Sequence, residues 1–222
     1  MALILSKRMG EKPMLRKAKM PLEWKAPEGL LGDRQNVAGV FNTIYDRSIW
    51  GGGSGAGSSP QIARPYMSFL QAFLNNNPIR SIVDIGCGDW QFSQFINWGD
   101  RDYLGIDIVP SVIEANNARF AKSSIAFACA NPLADNFDPP SGDLLLLKDV
   151  LQHLSNANVQ KLLDLTPRFK YSLITNAYAP TNDDCENGDT RPLDIRVTPF
   201  NLTSAVLVYP FHEKATFLVV NA

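Results

Sequence analysis

Two stretches of this 222-residue chain hold the residue types that chemistry needs. In Val83-Asp84-Ile85-Gly86-Cys87-Gly88 an apolar run ends in an aspartate and two glycines that flank a cysteine. Glycine lets backbone pass close to a ligand, so the turn can cradle a nucleoside or an amino-acid moiety. Asp84 can hold a ligand amino group or the turn's own N–H groups. Asp89 can do likewise or cap a helix beginning at Trp90. Cys87 reads as small and buried, with no neighbour in sequence to activate a thiol. In Lys148-Asp149-Val150-Leu151-Gln152-His153 a carboxylate precedes an imidazole by four residues. If the segment is helical, Asp149 lies one turn from His153 and would orient the imidazole or raise its pKa, making it a candidate base for a hydroxyl or amine. Simple packing of His153 beside Leu154 accounts for the pattern equally well.

The elements that must position these groups follow from periodicity. Apolar runs rich in β-branched residues at 81–85, 103–107, 124–128, 143–147 and 171–175 alternate with helix-like segments near 91–97, 110–121 and 156–166. Strands spaced by helices imply a parallel sheet covered on both faces, which binds ligands at the carboxyl ends of its strands. "AVLVYPF" and "ATFLVV" in the tail predict a final antiparallel pair, with His212 in its exposed turn. Residues 50–60, "WGGGSGAGSSP", predict a loop folded over the site. Ser58 or Ser59 would cap a helix running from Pro60 to about Leu74. Exposed N–H groups and hydroxyls there suit a carboxylate or phosphate. Trp50 is placed to cover the site, and Arg64 to pair with an anionic ligand group, although an exposed surface arginine is the plainer expectation. Trp90 and Trp98 are expected in the core or at its rim.

Composition bounds the rest. The length suits one α/β domain, and 45% hydrophobic residues suffice for a core. Three cysteines without paired spacing suggest a reducing cytoplasm rather than disulfides or zinc. The apolar start is too short to span a bilayer, and neither a membrane segment nor a signal peptide is expected. Residues 1–25 hold seven basic side chains against two acidic ones, leaving 14 basic and 20 acidic residues in a body of about −6. Residues 1–35 are therefore expected to form a basic arm and residues 36–222 the working domain. Few aromatic residues for stacking disfavour nucleic acid as the arm's partner.

A nicotinamide-binding turn wants a third glycine where Gln91 stands. The Asp84–Gly88 pattern instead resembles the first motif of the class I S-adenosylmethionine-dependent methyltransferases. "IYDRSIWGGGSGAGS", "DIGCGDW", "YLGIDIV", "KDVLQHLS" and "RPLDIRVTPF" are similar to a little-described branch of that family and cover roughly residues 41–200. The resemblance implies a Rossmann-like α/β fold, with a mostly parallel seven-stranded sheet, helices on both faces and an antiparallel C-terminal strand. It implies S-adenosylmethionine as cofactor, with S-adenosylhomocysteine as product. Asp107 would hold the ribose hydroxyls beside Ile108, and Asn131 would face the adenine amine in place of the family's usual aspartate. Asp84, Gly86, Cys87, Gly88, Asp89 and Lys148 would lie along the cofactor, with Trp50, Ser58 and Arg64 reaching it from the N-terminal side. No metal ligands are expected. The polar segment 176–200 suggests a small hydroxylated or sugar-like acceptor, methylated at oxygen with His153 and Asp149 as the catalytic pair; a homo-oligomer is compatible with this. A silent cofactor-binding module whose arm binds a partner, and a macromolecular methyltransferase, are the alternatives.

Overall fold

The computed structural model describes residues 23–221. Seven strands form one sheet: β1 Ser81–Ile85, β2 Asp102–Asp107, β3 Ile125–Cys129, β4 Gly142–Lys148, β5 Phe169–Ala177, β6 Val206–Phe211 and β7 Lys214–Val220. Their order is β3-β2-β1-β4-β5-β7-β6. The first five strands are parallel, whereas β7 runs antiparallel to β5, and β6 to β7. The helices are α1 Val37–Asp46, α2 Pro60–Asn76, α3 Pro110–Phe120 and α4 Asn156–Leu163. This is the α/β, Rossmann-like architecture expected, closed by an antiparallel pair.

The leucine run of β4 shows how the sheet gains a core on each face. Successive strand residues point to opposite sides, so Leu144 and Leu146 join the layer holding Tyr66, Leu70 and Leu74 of α2. Leu145 and Leu147 join the layer holding Val159, Leu162 and Leu163 of α4. The buried positions of α2, at Ala63, Tyr66, Leu70 and Leu74, recur at helical spacing, and Pro60 opens the helix where its missing N–H has no cost.

Strand order reverses between β1 and β4: from β1 the chain builds outward through β2 and β3, then returns to lay β4 and β5 on the other side. The carboxyl ends of those two central strands flank a crevice where such sheets bind ligands. The helix expected near 91–97 is only a single turn, Ser93–Phe95, preceded by Trp90 at φ 58°. Phe92, Ile96 and Trp98 bury themselves individually there. Helix α4 stops at Leu163, before a tight turn containing Pro167.

The expected basic arm lies outside the described residues as far as position 22. From Glu23 the chain is bound to the body: Trp24 and Thr190 exchange backbone hydrogen bonds of 2.9 and 2.7 Å, and Arg34 pairs with Asp189 and Glu186. Among the described residues no helix is long and apolar enough to cross a membrane.

Candidate active site

The crevice opens into a cavity of about 400 Å³ at the carboxyl ends of β1, β2 and β4. Its cradle is built by the turn after β1. The N–H groups of Gly86 and Cys87 both donate to the Ile106 carbonyl, at 2.7 and 3.1 Å, which ties the turn to β2. Gly88, at φ 57°, donates its N–H to Asp107 Oδ2 at 2.9 Å, and Val109 donates to Asp107 Oδ1 at 3.1 Å. Burial raises the Asp107 carboxyl above its ordinary range, and those N–H groups oppose the shift. Asp84 receives the Tyr103 hydroxyl at 2.6 Å, and Tyr103 in turn receives Trp90 Nε1 at 2.9 Å. Burial pushes Asp84 up to about 6, against the pull of Tyr103 and the Lys148 charge. Ile108 and the buried Cys87 line the same cavity, and burial pushes the Cys87 thiol up.

The Gly/Ser loop closes over this cradle through a latch on Ser54, a residue the sequence did not single out among its neighbours. Asp89 N–H donates to Ser54 Oγ at 2.9 Å, and Ser54 Oγ donates back to Asp89 Oδ1 at 2.7 Å. With that proton committed, the Tyr45 hydroxyl, 2.8 Å away, is the donor to Ser54 Oγ. A Cβ on Gly88 would stand 2.1 Å from Ser54 Oγ, so the loop rests directly on the turn. Asp89 thus holds the loop and does not point free into the cavity. Ser58 lines the cavity; Ser59 sits at the N-cap of α2, but its hydroxyl donates to the Ala56 carbonyl. Ser54→Ala should cost about 1.5–3 kcal/mol in unfolding free energy, the range for a hydrogen bond to a charged group, measured by denaturant titration.

A charged group forms the wall beneath Gly57. Lys148, at the end of β4, donates to Asp149 Oδ2 at 2.6 Å and to the Gly57 carbonyl at 3.3 Å, and lies over the Phe92 ring. Lys214, at the start of β7, donates to the same carboxylate oxygen. Burial lowers the Lys148 ammonium despite its partner. Burial alone would raise Asp149, but the two ammoniums outweigh it and hold the carboxyl below the usual range.

The expected orienting hydrogen bond between Asp149 and His153 does not form; the carboxylate acts on the imidazole through its charge alone, which opposes the lowering by burial. Asp149 takes φ 59°, and only a short tight helical turn, Leu151–His153, follows. The four-residue spacing therefore never becomes a helical face, and the carboxylate turns to the lysines. His153 is oriented instead by other groups. Its Nδ1 lies 2.9 Å from the Asp189 carbonyl, which can only accept, so Nδ1 carries the proton. Ala177 N–H donates to Gln152 Oε1 at 2.8 Å, which leaves the Gln152 amide nitrogen to donate to His153 Nε2 at 3.1 Å. Trp50 covers the ring at a centroid distance of 4.6 Å. Burial lowers His153 to about 4, so it is neutral at neutral pH.

Two other expected contacts are not brought together. Asn131 is exposed, and its Oδ1 accepts from Leu133 N–H at 3.0 Å, capping its own turn while Pro132 and Leu133 line the cavity. Arg64 is exposed on α2 outside the cavity lining, because its helix turns Ala63 and Tyr66 inward instead. His212 is exposed in the β6–β7 turn, as expected, yet it also lines the cavity mouth beside Glu213. Among the described residues, two buried polar atoms on cavity-lining residues have no partner, Trp50 Nε1 and Asp149 Oδ1, whereas the buried Tyr66 hydroxyl interacts with Thr175.

Residues 83–168 match a family model described as a methyltransferase domain. No curated protein matches the chain. Among solved structures, an O-methyltransferase family protein from Burkholderia thailandensis superposes with a TM-score of 0.59 at 12% identity, over 85% of this chain and 61% of its own. The chain thus spans about three fifths of that protein's length. The N-methyltransferase NodS from Bradyrhizobium japonicum WM9, solved with S-adenosyl-L-homocysteine, has a TM-score of 0.56 at 15% identity, covering 73% of this chain and 88% of its own. The [4+2]-cyclase SpnF has a TM-score of 0.57 at 13% identity, covering 79% and 74%. At these identities the likeness is one of fold.

Proposed function

We propose that this chain, whose residues 83–168 carry a methyltransferase domain set in the class I methyltransferase fold, transfers the methyl group of S-adenosylmethionine to a small polar acceptor. The observation that carries this is the cradle: a Gly86-x-Gly88 turn locked to a buried Asp107 at the switch point of the sheet, opening on a cavity of ligand size. The residues present fit the cofactor. Asp107 offers its carboxylate to the ribose hydroxyls and Ile108 an apolar edge to the base. The turn offers close backbone, and the buried Trp50 Nε1, without a partner among the described residues, can donate to a polar ligand group. When bound, S-adenosylmethionine supplies an electrophilic methyl on a sulfonium. The chain's own work is then to align the acceptor, exclude water under the Gly/Ser loop and receive a proton.

Methylation at oxygen, with His153 as base, is the specific form of the proposal. His153 stands in the basic form at neutral pH, with Nε2 as its acceptor atom. An acceptor hydroxyl displacing the Gln152 amide would deliver its proton there. Transfer of labelled methyl to hydroxylated acceptors tests this. The rate should stay level above about pH 5 and fall as His153 protonates at about 4, and His153→Gln should slow turnover and remove that acid limb. The free thiols Cys87, Cys129 and Cys185 suit a cytoplasmic setting.

A second reading is favoured by the saturation of both His153 nitrogens. In it the chain binds the cofactor without turnover, and its arm engages a partner. That reading predicts S-adenosylhomocysteine binding with no label transfer to any acceptor and no effect of His153→Gln on partner capture.

A further inference from the structure

Residues 187–195 are buried throughout, yet they form no helix or strand beyond a single bridge at Thr190. Backbone polar groups buried in such a segment must find partners outside regular structure. Residues 187–191 find them on two sides. On one, Gly188 N–H donates to the His153 carbonyl at 2.7 Å, and Arg191 N–H to the Gln152 carbonyl at 3.0 Å. On the other lies the N-terminal strap, residues 24–36. Besides the reciprocal Trp24–Thr190 bonds, the Asn187 amide nitrogen donates to the Arg34 carbonyl at 2.9 Å, and Ala26 N–H donates to Asp189 Oδ1 at 2.9 Å. Gly188, at φ 91°, lets the two press together, because a Cβ there would stand 2.8 Å from Leu31 and 2.6 Å from Val40 of α1.

Arg34 is the centre of the strap's grip. Its guanidinium forks, with Nη1 donating to the Asn187 carbonyl and Nη2 to Asp189 Oδ1, while Nε reaches the exposed Glu186 at 3.2 Å. The Arg34 and Asp189 side chains are only 16% and 7% exposed, so solvent screens their pair little. Asp189 is gripped at one end and used at the other: its carboxylate meets the strap, and its carbonyl accepts from His153 Nδ1 at 2.9 Å. Thr190 Oγ1 lies 3.1 Å from the same nitrogen. Fixing the carboxylate fixes the direction of the carbonyl, and that acceptor keeps the proton on Nδ1 and off Nε2. When an acceptor hydroxyl displaces the Gln152 amide from Nε2, Nδ1 becomes the held end of the ring.

We propose that Arg34 is a positioning residue for His153: acting through Asp189, it holds the imidazole in the Nδ1-protonated tautomer, with Nε2 free of a proton. The effect of this on turnover rests on the methyltransferase reading with His153 as base; the tautomer does not.

The test is nuclear magnetic resonance of isotopically labelled imidazole nitrogens at neutral pH, where His153 is neutral. The chain has two histidines, so the spectrum of His153→Gln assigns the signals. Wild type should show a protonated Nδ1 and a bare Nε2. Glu186→Gln, which alters only the exposed arm of the Arg34 contacts, should match it. Arg34→Met and Asp189→Asn should each move both signals towards the average of the two tautomers. The double variant should move them by less than the sum, because both changes cut the same link. In Arg34→Met, kcat for labelled methyl transfer to hydroxylated acceptors should fall roughly tenfold while S-adenosylhomocysteine affinity is unchanged. An Arg34→Met protein with a lowered melting temperature but the His153 signals of wild type would overturn the proposal, as would a wild type that carries its proton on Nε2. Should Arg34→Met fail to fold, Asp189→Asn carries the same decision. If wild type transfers no methyl group, the methyltransferase reading fails on its own, and the tautomer still decides the role of Arg34.

Discussion

Replacing Asp107 by alanine should weaken S-adenosylhomocysteine binding about a hundredfold, because two hydrogen bonds from ribose hydroxyls to one ionised carboxylate are lost together. A second effect adds to the first. Asp107 accepts from Gly88 and Val109 N–H, so alanine also releases the turn that the ligand must approach. Asp107→Asn separates the two contributions. It keeps one neutral oxygen for the turn, and should retain the melting temperature better than alanine while still binding roughly tenfold more weakly than wild type. Calorimetry with parallel thermal unfolding distinguishes this from collapse: an alanine variant that binds as wild type does would remove Asp107 from the ligand site.

Asp149→Ala should be among the most destabilising single changes, by about 3–5 kcal/mol, because it strands two lysines around a buried position. The pH dependence gives the sign. In the intact protein the Asp149 carboxyl lies below its unfolded value, so its stabilisation is present above the ordinary carboxylate range and is lost as pH falls through that range and below. The alanine variant should lack this acid-side loss. It should also gain stability as pH rises, because Lys148, already lowered by burial, would lose the partner that supports its charge. A folded chain whose lysine binds its proton more weakly than the unfolded chain does is stabilised as the proton leaves both. Urea titrations across the pH range check both limbs, and a variant with unchanged stability would show that the lysines find other partners.

The sheet was legible because its signals are local. Each parallel strand is a short β-branched or leucine-rich run, and the observed bounds differ from the expected ones by at most two residues at either end. The Asp84–Gly88 turn and Asp107 were legible for the same reason: a turn at the end of a buried strand and an acid at the end of the next must converge once the strands pair in parallel. Contacts set by single backbone angles were not. Asp149 at φ 59° looks in sequence like any residue entering a helix, so its spacing from His153 promised a hydrogen bond that the fold does not make. Nor does sequence reveal that Ser54, among several serines in a glycine-rich run, is the one that meets Asp89. Lys214 opens an ordinary strand, and only the pairing of β7 beside β5, with Lys214 opposite Ala177, carries its side chain to the site. The Trp24–Thr190 contact joins segments 166 residues apart and has no local signature.

The central proposal is a cofactor seated in the Gly86–Gly88 cradle. Its most direct test is calorimetric titration of the wild-type protein with S-adenosylhomocysteine at neutral pH, beside S-adenosylmethionine. One-to-one binding of both in the micromolar range is the predicted result. Absence of heat and of thermal stabilisation with either ligand would contradict it, leaving a methyltransferase fold put to another use.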